Sequence, residues 1–380
     1  MAEYSGEMKW TRPIFQTASI VRHNWRVVPS IKMNRKEESE MNITRLSIDL
    51  AKNVFQLYGV NEQQQCVMTK RINSRQKFME FIAKLTPCEI YMEACGTANY
   101  WARKFTEFGH AVKLISPQYV KPYIQRNKND FRDAQGIMEA SFWSGTPYVT
   151  PKTVEQQDIQ SLLRIRTNYI DTRTAVSNQI RGLMKEYGVF VASGYHHLLK
   201  DLPSIIDRDN ENGLSPMMKE LIEGQYNMLL IINEKIDALD ILITQQSNNN
   251  EVCNRLQEIE GIGPITALAI IALVGDGQGF KNGRHFSAYL GLVPKQHSSG
   301  QREKLLGISK RGDVYLRGLL IHGGRAVATR CSKKTDARSL WINGIKTQGG
   351  MNKAAVAVAN KNARIAMAIL LSGERYRKAA

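Results

Sequence analysis

The chain has 380 residues, 43% of them hydrophobic, and a formal net charge of +17. That length buries a sizeable core and suits two or three domains. No signal peptide is evident and no stretch reads as long and apolar enough to cross a bilayer, which argues against a membrane protein.

The charge is unevenly placed. Residues 281–380 carry 20 Lys/Arg against four acids, a net of +16, so the rest is close to neutral. A basic third on a neutral body favours a polyanion, and nucleic acid fits better than a membrane surface. The five cysteines form no CxxC pair and the seven histidines no HxxxH pattern, which leaves no structural zinc signature. The thiols read as reduced, as in a cytoplasmic protein.

Residues 1–40 show mixed charge and no periodicity and read as an extension, disordered or outside the native protein. From Met41 to about Tyr148 the chain alternates β and α. Strands are expected at 43–49, 53–59, 66–72, 89–94 and 111–116, and helices at 74–85, 97–108 and 130–144. Three strands before the first helix imply an antiparallel meander joined to a parallel part, a mixed α/β sheet.

Residues 154–187 and 217–245 each hold a three-four apolar spacing, with the polar segment 204–213 as the turn between them. The pair suggests an antiparallel coiled coil or simple core packing, and Arg166 and Arg173 at seam positions favour an exposed or oligomeric coil. The C-terminal part, 251–380, opens on an apolar helix, Gly261-Ile262-Gly263, and a second apolar helix to Val274. This is a helix-hairpin-helix pattern, whose glycines let backbone amides approach a phosphate. Segment 281–311 is basic with little apolar periodicity after 294, and basic helices are expected at 312–330 and 351–372.

Four acids stand near element ends. Asp49 and Glu93 close strand-like runs, while Asp130 and Asp133 share a face at the start of a helix. Each has a bland reading: Asp49 and Asp130 as caps, Glu93 as an ion-pair partner. Together they suggest a site where carboxylates hold a hard divalent cation such as Mg²⁺ for phosphoryl transfer. The Ser298-Ser299-Gly300 loop could be a mere turn. It lies in the most basic part of the chain, where Arg302, Lys304, Lys310 and Arg311 could activate a serine and offset phosphate charge. These four, with Lys295, Arg317, Gly261 and Gly263, are the expected nucleic-acid contacts.

These residues carry a resemblance. Ser47-Ile48-Asp49-Leu50-Ala51-Lys52, Glu93-Ala94-Cys95-Gly96-Thr97, Asn127 to Ala134, Ile259 to Gly263 and Tyr289 to Pro294, followed by Ser299-Gly300, occur in order. The chain from about 41 to 375 closely resembles the DEDD transposases of bacterial insertion sequences related to the Piv DNA invertase, of insertion-sequence family one-ten and its eleven-eleven branch. The resemblance implies a RuvC-like, ribonuclease-H-type domain over 41–150, a coiled-coil segment over 151–250 and a mainly α transposase domain over 251–380. It implies that Asp49, Glu93, Asp130 and Asp133 hold Mg²⁺ and that Ser299, with Ser298 directly before it, is the nucleophile. It further implies a bridge-RNA-guided recombinase acting on target and donor DNA, a homo-oligomer of dimers assembling into a tetramer, and a bacterial cytoplasmic location. A RuvC-like nuclease using activated water, or a non-catalytic nucleic-acid-binding protein, would share the same composition.

Overall fold

The computed structural model describes residues 42–124, 130–207, 211–299 and 302–377. The expectation for residues 1–40 lies outside the described residues.

The chain begins with a mixed sheet. Strands β1 (Arg45–Leu50), β2 (Phe55–Val60) and β3 (Cys66–Ile72) form the expected antiparallel meander. β4 (Glu89–Glu93) and β5 (Ala111–Ile115) extend it in parallel from β1, and a two-residue strand β6 (Tyr148–Val149) closes the edge antiparallel to β5. The order is β3-β2-β1-β4-β5-β6.

Both faces are covered. Helices α1 (Arg75–Lys84) and α2 (Ala98–Glu107) seal one face, where Leu46, Ile48, Ile90 and Met92 pack against Phe78, Ile82, Trp101 and Phe105. Phe55 stacks on Phe78 at 4.0 Å, with Trp101 edge-on. A short helix α3 (Pro117–Val120) and helix α4 (Asp130–Phe142) cover the other face, where Tyr91 and Ile115 meet Ile137 and Ala140. Burial on both faces suits the continuous Ile90-Tyr91-Met92 of β4, whereas β1 alternates apolar Leu46, Ile48 and Leu50 with polar Ser47 and Asp49.

The linker after β6 is tied down on both sides. Arg103 of α2 donates to the Lys152 carbonyl at 2.6 Å, and Lys152 Nζ donates to the Ala272 carbonyl at 2.7 Å. Thr153 and Gln156 form a capping box that starts α5 (Val154–Lys185). α5 pairs with α7 (Pro216–Asn248), as the spacing predicted. The seam arginines are satisfied inside this pair: Arg166 bridges Asp240, and Arg173 donates to Asn233 at 3.0 Å while lying over the Tyr195 ring. The expectation that they mark an exposed or oligomeric seam is thereby corrected. Between the two lies α6 (Tyr195–Ile206), where only a turn was expected; Pro203 inside it and Gly194 before it mask the helical pattern.

The last part is mainly helical. α8 (Glu251–Gln257), α9 (Pro264–Val274), α10 (Gly283–Tyr289), α11 (Val314–Arg330) and α12 (Ala337–Ser372) surround one core, interrupted by a two-stranded ribbon of β7 (Pro294–Ser299) and β8 (Arg302–Ile308). Ile159, Leu163 and Ile243 join that core, so one end of the α5–α7 pair is built into it. α12 starts well before the expected 351, with a kink at Gly350 (φ 78°) marking the boundary the sequence suggested. One window of α12, mean hydropathy 1.3, is long and apolar enough to cross a membrane, which corrects the expectation that no such stretch exists. Half of that window is buried, chiefly a small-residue face (Ala354, Ala355, Val358, Ala359, Ala363) packed into the C-terminal core.

Candidate active site: an acidic sheet face and a basic ribbon

Strand alternation decides where two of the acids point. Ser47 and Asp49 share one face of β1, and Tyr91 and Glu93 share one face of β4. Ser47 pairs with Tyr91 across the parallel ladder. The Ser47 hydroxyl donates to the Ala134 carbonyl of α4 at 2.6 Å, and Tyr91 packs against α4. Asp49 and Glu93 therefore stand at the same end of adjacent strands, on the side covered by α4. Asp133 is the residue before Ala134 on that helix.

The electrostatics of β4 separate a structural acid from a site acid. Glu89 lies on the same face as Glu93, four residues earlier. Burial alone would raise its carboxyl, but hydrogen bonds from Lys113 and Tyr91 and the charges of Lys113 and Arg45 hold it below the usual range. Lys113 Nζ is 2.6 Å from one oxygen, with Arg45 and Tyr91 at 3.1 and 2.8 Å from the other. The Glu93 carboxylate has no hydrogen bond or ion pair among the described residues, while its backbone carbonyl accepts from the Cys95 amide at 2.8 Å. Burial first, then the negative charge of Asp133, push its carboxyl up, against a weaker pull from Lys121. Lys121, which follows α3, carries no sequence signal for this position.

Among the described residues no three His, Cys, Asp or Glu side chains already stand together as a metal cage. The Asp130 side chain lies outside the described residues; its backbone opens α4. Even so, the donors available at this end of the sheet are carboxylate oxygens, the hard ligands that Mg²⁺ takes. Burial first and the charge of Asp133 second raise the Glu93 carboxyl, and a bound cation would offset both. The residues present fit such an ion.

The second component was expected to be irregular and is instead a ribbon. Ser299 ends β7 and pairs with Arg302, and Ser298 pairs with Glu303. The side chains of Ser298, Ser299 and Arg302 lie outside the described residues. Lys295, Gln296, His297, Lys304, Leu305 and Leu306 are all exposed, so neither face of the ribbon is buried and no apolar alternation marks it in the sequence. Lys310 and Arg311 are exposed at its base. There, Ser309 and Lys310 donate their amides to the carbonyls of Val293 and Gly291.

Arg317 does not belong to this basic surface. It is buried, 7% exposed, and its guanidinium donates to the carbonyls of Leu290 at 3.1 Å and Arg311 at 2.8 Å. The expectation that it contacts nucleic acid is corrected: it holds the ribbon base to α11. Gly261 also has a packing use. It has φ 92°, and a Cβ there would come within 2.9 Å of the Gly323 carbonyl of α11. Gly263 has open space around it.

Known proteins share much of this sequence. Residues 46–189 match the family model of the IS110-type DEDD transposases, and residues 253–340 that of the IS116/IS110/IS902 transposase family. The transposase for insertion sequence element IS1111A of Coxiella burnetii is 46% identical over 343 residues, covering 90% of this chain and 94% of that protein. A probable family 20 transposase of Pseudomonas aeruginosa is 43% identical over 337 residues, covering 89% of this chain and 99% of its own length. The pilin gene-inverting protein of Moraxella bovis is 25% identical over 312 residues, covering 75% of this chain and 85% of that protein. With two relatives above 40% identity over nearly their whole lengths, the chain belongs to the IS116/IS110/IS902 family of insertion-sequence DEDD transposases.

Proposed function

We propose that this transposase is a Mg²⁺-dependent, RNA-guided serine recombinase built on a RuvC-like domain. The observation that carries the reading is that Asp49 and Glu93 end adjacent parallel strands on the sheet face covered by α4, the helix that bears Asp133, whose negative charge acts on Glu93.

Asp49, Glu93, Asp130 and Asp133 would hold the metal. A bound Mg²⁺ supplies charge neutralisation and Lewis-acid polarisation of a phosphoryl oxygen. The Ser299 hydroxyl attacks phosphorus: an Oγ–P bond forms, the P–O bond to the departing strand breaks, and the proton ends on the released deoxyribose hydroxyl. Rejoining reverses these steps with a hydroxyl from the partner strand, so no ATP is consumed. Lys295, Lys304, Lys310 and Arg311 lower the cost of gathering phosphates at the serine, and Gly263 leaves room for a backbone phosphate. The ribbon is exposed at Lys295 to His297 and Lys304 to Leu306, which suits delivery of Ser299 to the acidic face of another copy in an oligomer. Choice of target and donor DNA falls to a structured RNA, leaving the protein to bind backbones and shape.

The test is a trapping assay with the flanking RNA of the element, labelled DNA and Mg²⁺, resolved on a denaturing gel. A DNA-linked protein band is expected in wild type and Ser298→Ala, and none in Ser299→Ala, Asp49→Asn or Glu93→Gln. Cleaved DNA with no linked protein in any variant would overturn the serine mechanism and leave a nuclease using metal-activated water.

A further inference from the structure

At the base of the ribbon a cavity of about 1240 Å³ opens between β8, the start of α10 and α12. Sites for single small molecules run to about 300–1,000 Å³, so this one has room for a short piece of polymer. Its wall carries four cations, Arg284, Lys353, Lys361 and Arg364, and no carboxylate among the described residues. Its floor is apolar, with Val356, Ala357 and Ala368 of α12. Trp341 lines it, 37% exposed, with Lys361 Nζ 4.6 Å from the ring centroid. The wall is rigid: Gly283 of α10 lies so close to α12 that a Cβ would come within 2.7 Å of the Arg364 carbonyl.

Cations on a rim, an apolar floor and a half-exposed indole match one polymer chemistry. Phosphates pair with the cations, and an unpaired base offers its π-face to the ring. A duplex keeps those faces stacked inside, so the matching polymer is a single strand. Ser299 lies five residues along β7 from Pro294, itself in the cavity wall, a reach of about 17 Å at strand rise. A strand held at one place can therefore extend to the other.

We propose that this cavity holds a short unpaired segment of the DNA strand that the ribbon serine attacks, with a base on Trp341 and phosphates on Lys353, Lys361 and Arg364. The choice of DNA rests on the recombinase reading above. The cavity fixes the strand before reaction and stabilises the region that must unpair.

The test uses the full chain and fluorescence anisotropy with labelled oligo-dT of about 12 nucleotides, the matching oligo-U and a DNA duplex. Trp341→Ala and the cavity-filling Ala357→Phe are expected to weaken oligo-dT binding about tenfold or more and to leave duplex binding within about twofold. Replacing both Lys353 and Arg364 by Gln should reduce the slope of log affinity against log salt by about 1.4, which a merely structural defect would not do. Oligo-dT binding within twofold of wild type in both Trp341→Ala and Ala357→Phe would overturn the proposal. So would an equal loss on duplex, or tighter Trp341-dependent binding of oligo-U. Binding is read without Mg²⁺ and also in Ser299→Ala. A failed serine mechanism thus leaves this readout intact, and a failed cavity leaves the covalent-trapping readout intact.

Discussion

The Ser47 hydroxyl donates to the Ala134 carbonyl at 2.6 Å, and this bond joins the middle of β1 to the helix that carries Asp133. Ser47 is fully buried and Asp49 is the next residue on its face. The bond therefore sets the distance between a strand-borne carboxylate and a helix-borne one. Ser47→Ala removes it and leaves a buried carbonyl with one partner fewer, at a cost of about 1–3 kcal/mol. Urea unfolding should register that loss, and DNA cleavage by the folded variant should fall about tenfold because the helix is no longer held in place. Unchanged cleavage at reduced stability would mean that α4 is positioned by its apolar contacts alone.

Glu89 provides a pH signature independent of catalysis. Its folded carboxyl titrates below its ordinary value because Lys113, Tyr91 and Arg45 outweigh burial. A depressed group contributes stability above its unfolded pKa of about 4.3, and that contribution disappears as pH falls through the folded value. Glu89→Gln should therefore lower stability by about 1 kcal/mol at pH 7, a modest figure because the side chain is one-third exposed. The wild-type and variant curves should converge below about pH 4. Denaturation followed across pH 3–8 checks this, and a gap constant over the whole range would mean that packing, not charge, carries the effect.

The sheet was readable because Leu46 and Ile48 of β1 and Ile90 and Met92 of β4 recur at period two on the face packed under α1 and α2, leaving an apolar trace that leads to Asp49 and Glu93. The long helices were readable because Ile222, Leu229, Ile232, Ile236 and Ile243 recur on one buried stripe. Where burial does not organise the sequence, reading failed. Lys295, Gln296 and His297 of β7 and Lys304, Leu305 and Leu306 of β8 are all exposed, so consecutive residues of the ribbon carry no apolar–polar alternation to detect. Arg317 looks like a surface cation, because nothing local reveals that carbonyls from Leu290 and Arg311 converge on it. Glu89 and Glu93 look alike in sequence; only the sheet brings Arg45 and Lys113 to one of them.

The Gly-Ile-Gly turn can be dissected residue by residue. At Gly261 the backbone has φ 92° and touches Gly323, so Gly261→Ala combines left-handed strain with a clash. A loss of about 1–3 kcal/mol in stability is expected. Gly263 has φ −99° and open space, so Gly263→Ala should change stability by less than about 0.5 kcal/mol. If its backbone approaches a phosphate, Gly263→Ala should weaken DNA binding while leaving the melting temperature alone. Equal stability loss in both variants would make the turn purely a packing device.

Helix α7 carries a second apolar stripe that the α5 pairing does not use. Met217, Leu221, Met228, Ile231 and Leu242 are all exposed, with Leu221 at 51% and Ile231 at 56%. With Gly224, Lys235 and Ala238 they complete an alternating four-three spacing along the helix, which is a coiled-coil seam. A seam facing water in one chain is suited to another copy of the same helix, as the proposed delivery of Ser299 to a second copy would require. Ile231→Asp, alone or with Leu221→Asp, should shift the mass measured by light scattering towards a single chain. Thermal stability of that single chain should hold to within about 0.5 kcal/mol, because neither side chain is buried in it. Leu229→Asp, on the buried stripe facing α5, should instead unfold the helical pair. A wild-type protein that is already a single chain at high concentration would remove the seam from any role in assembly.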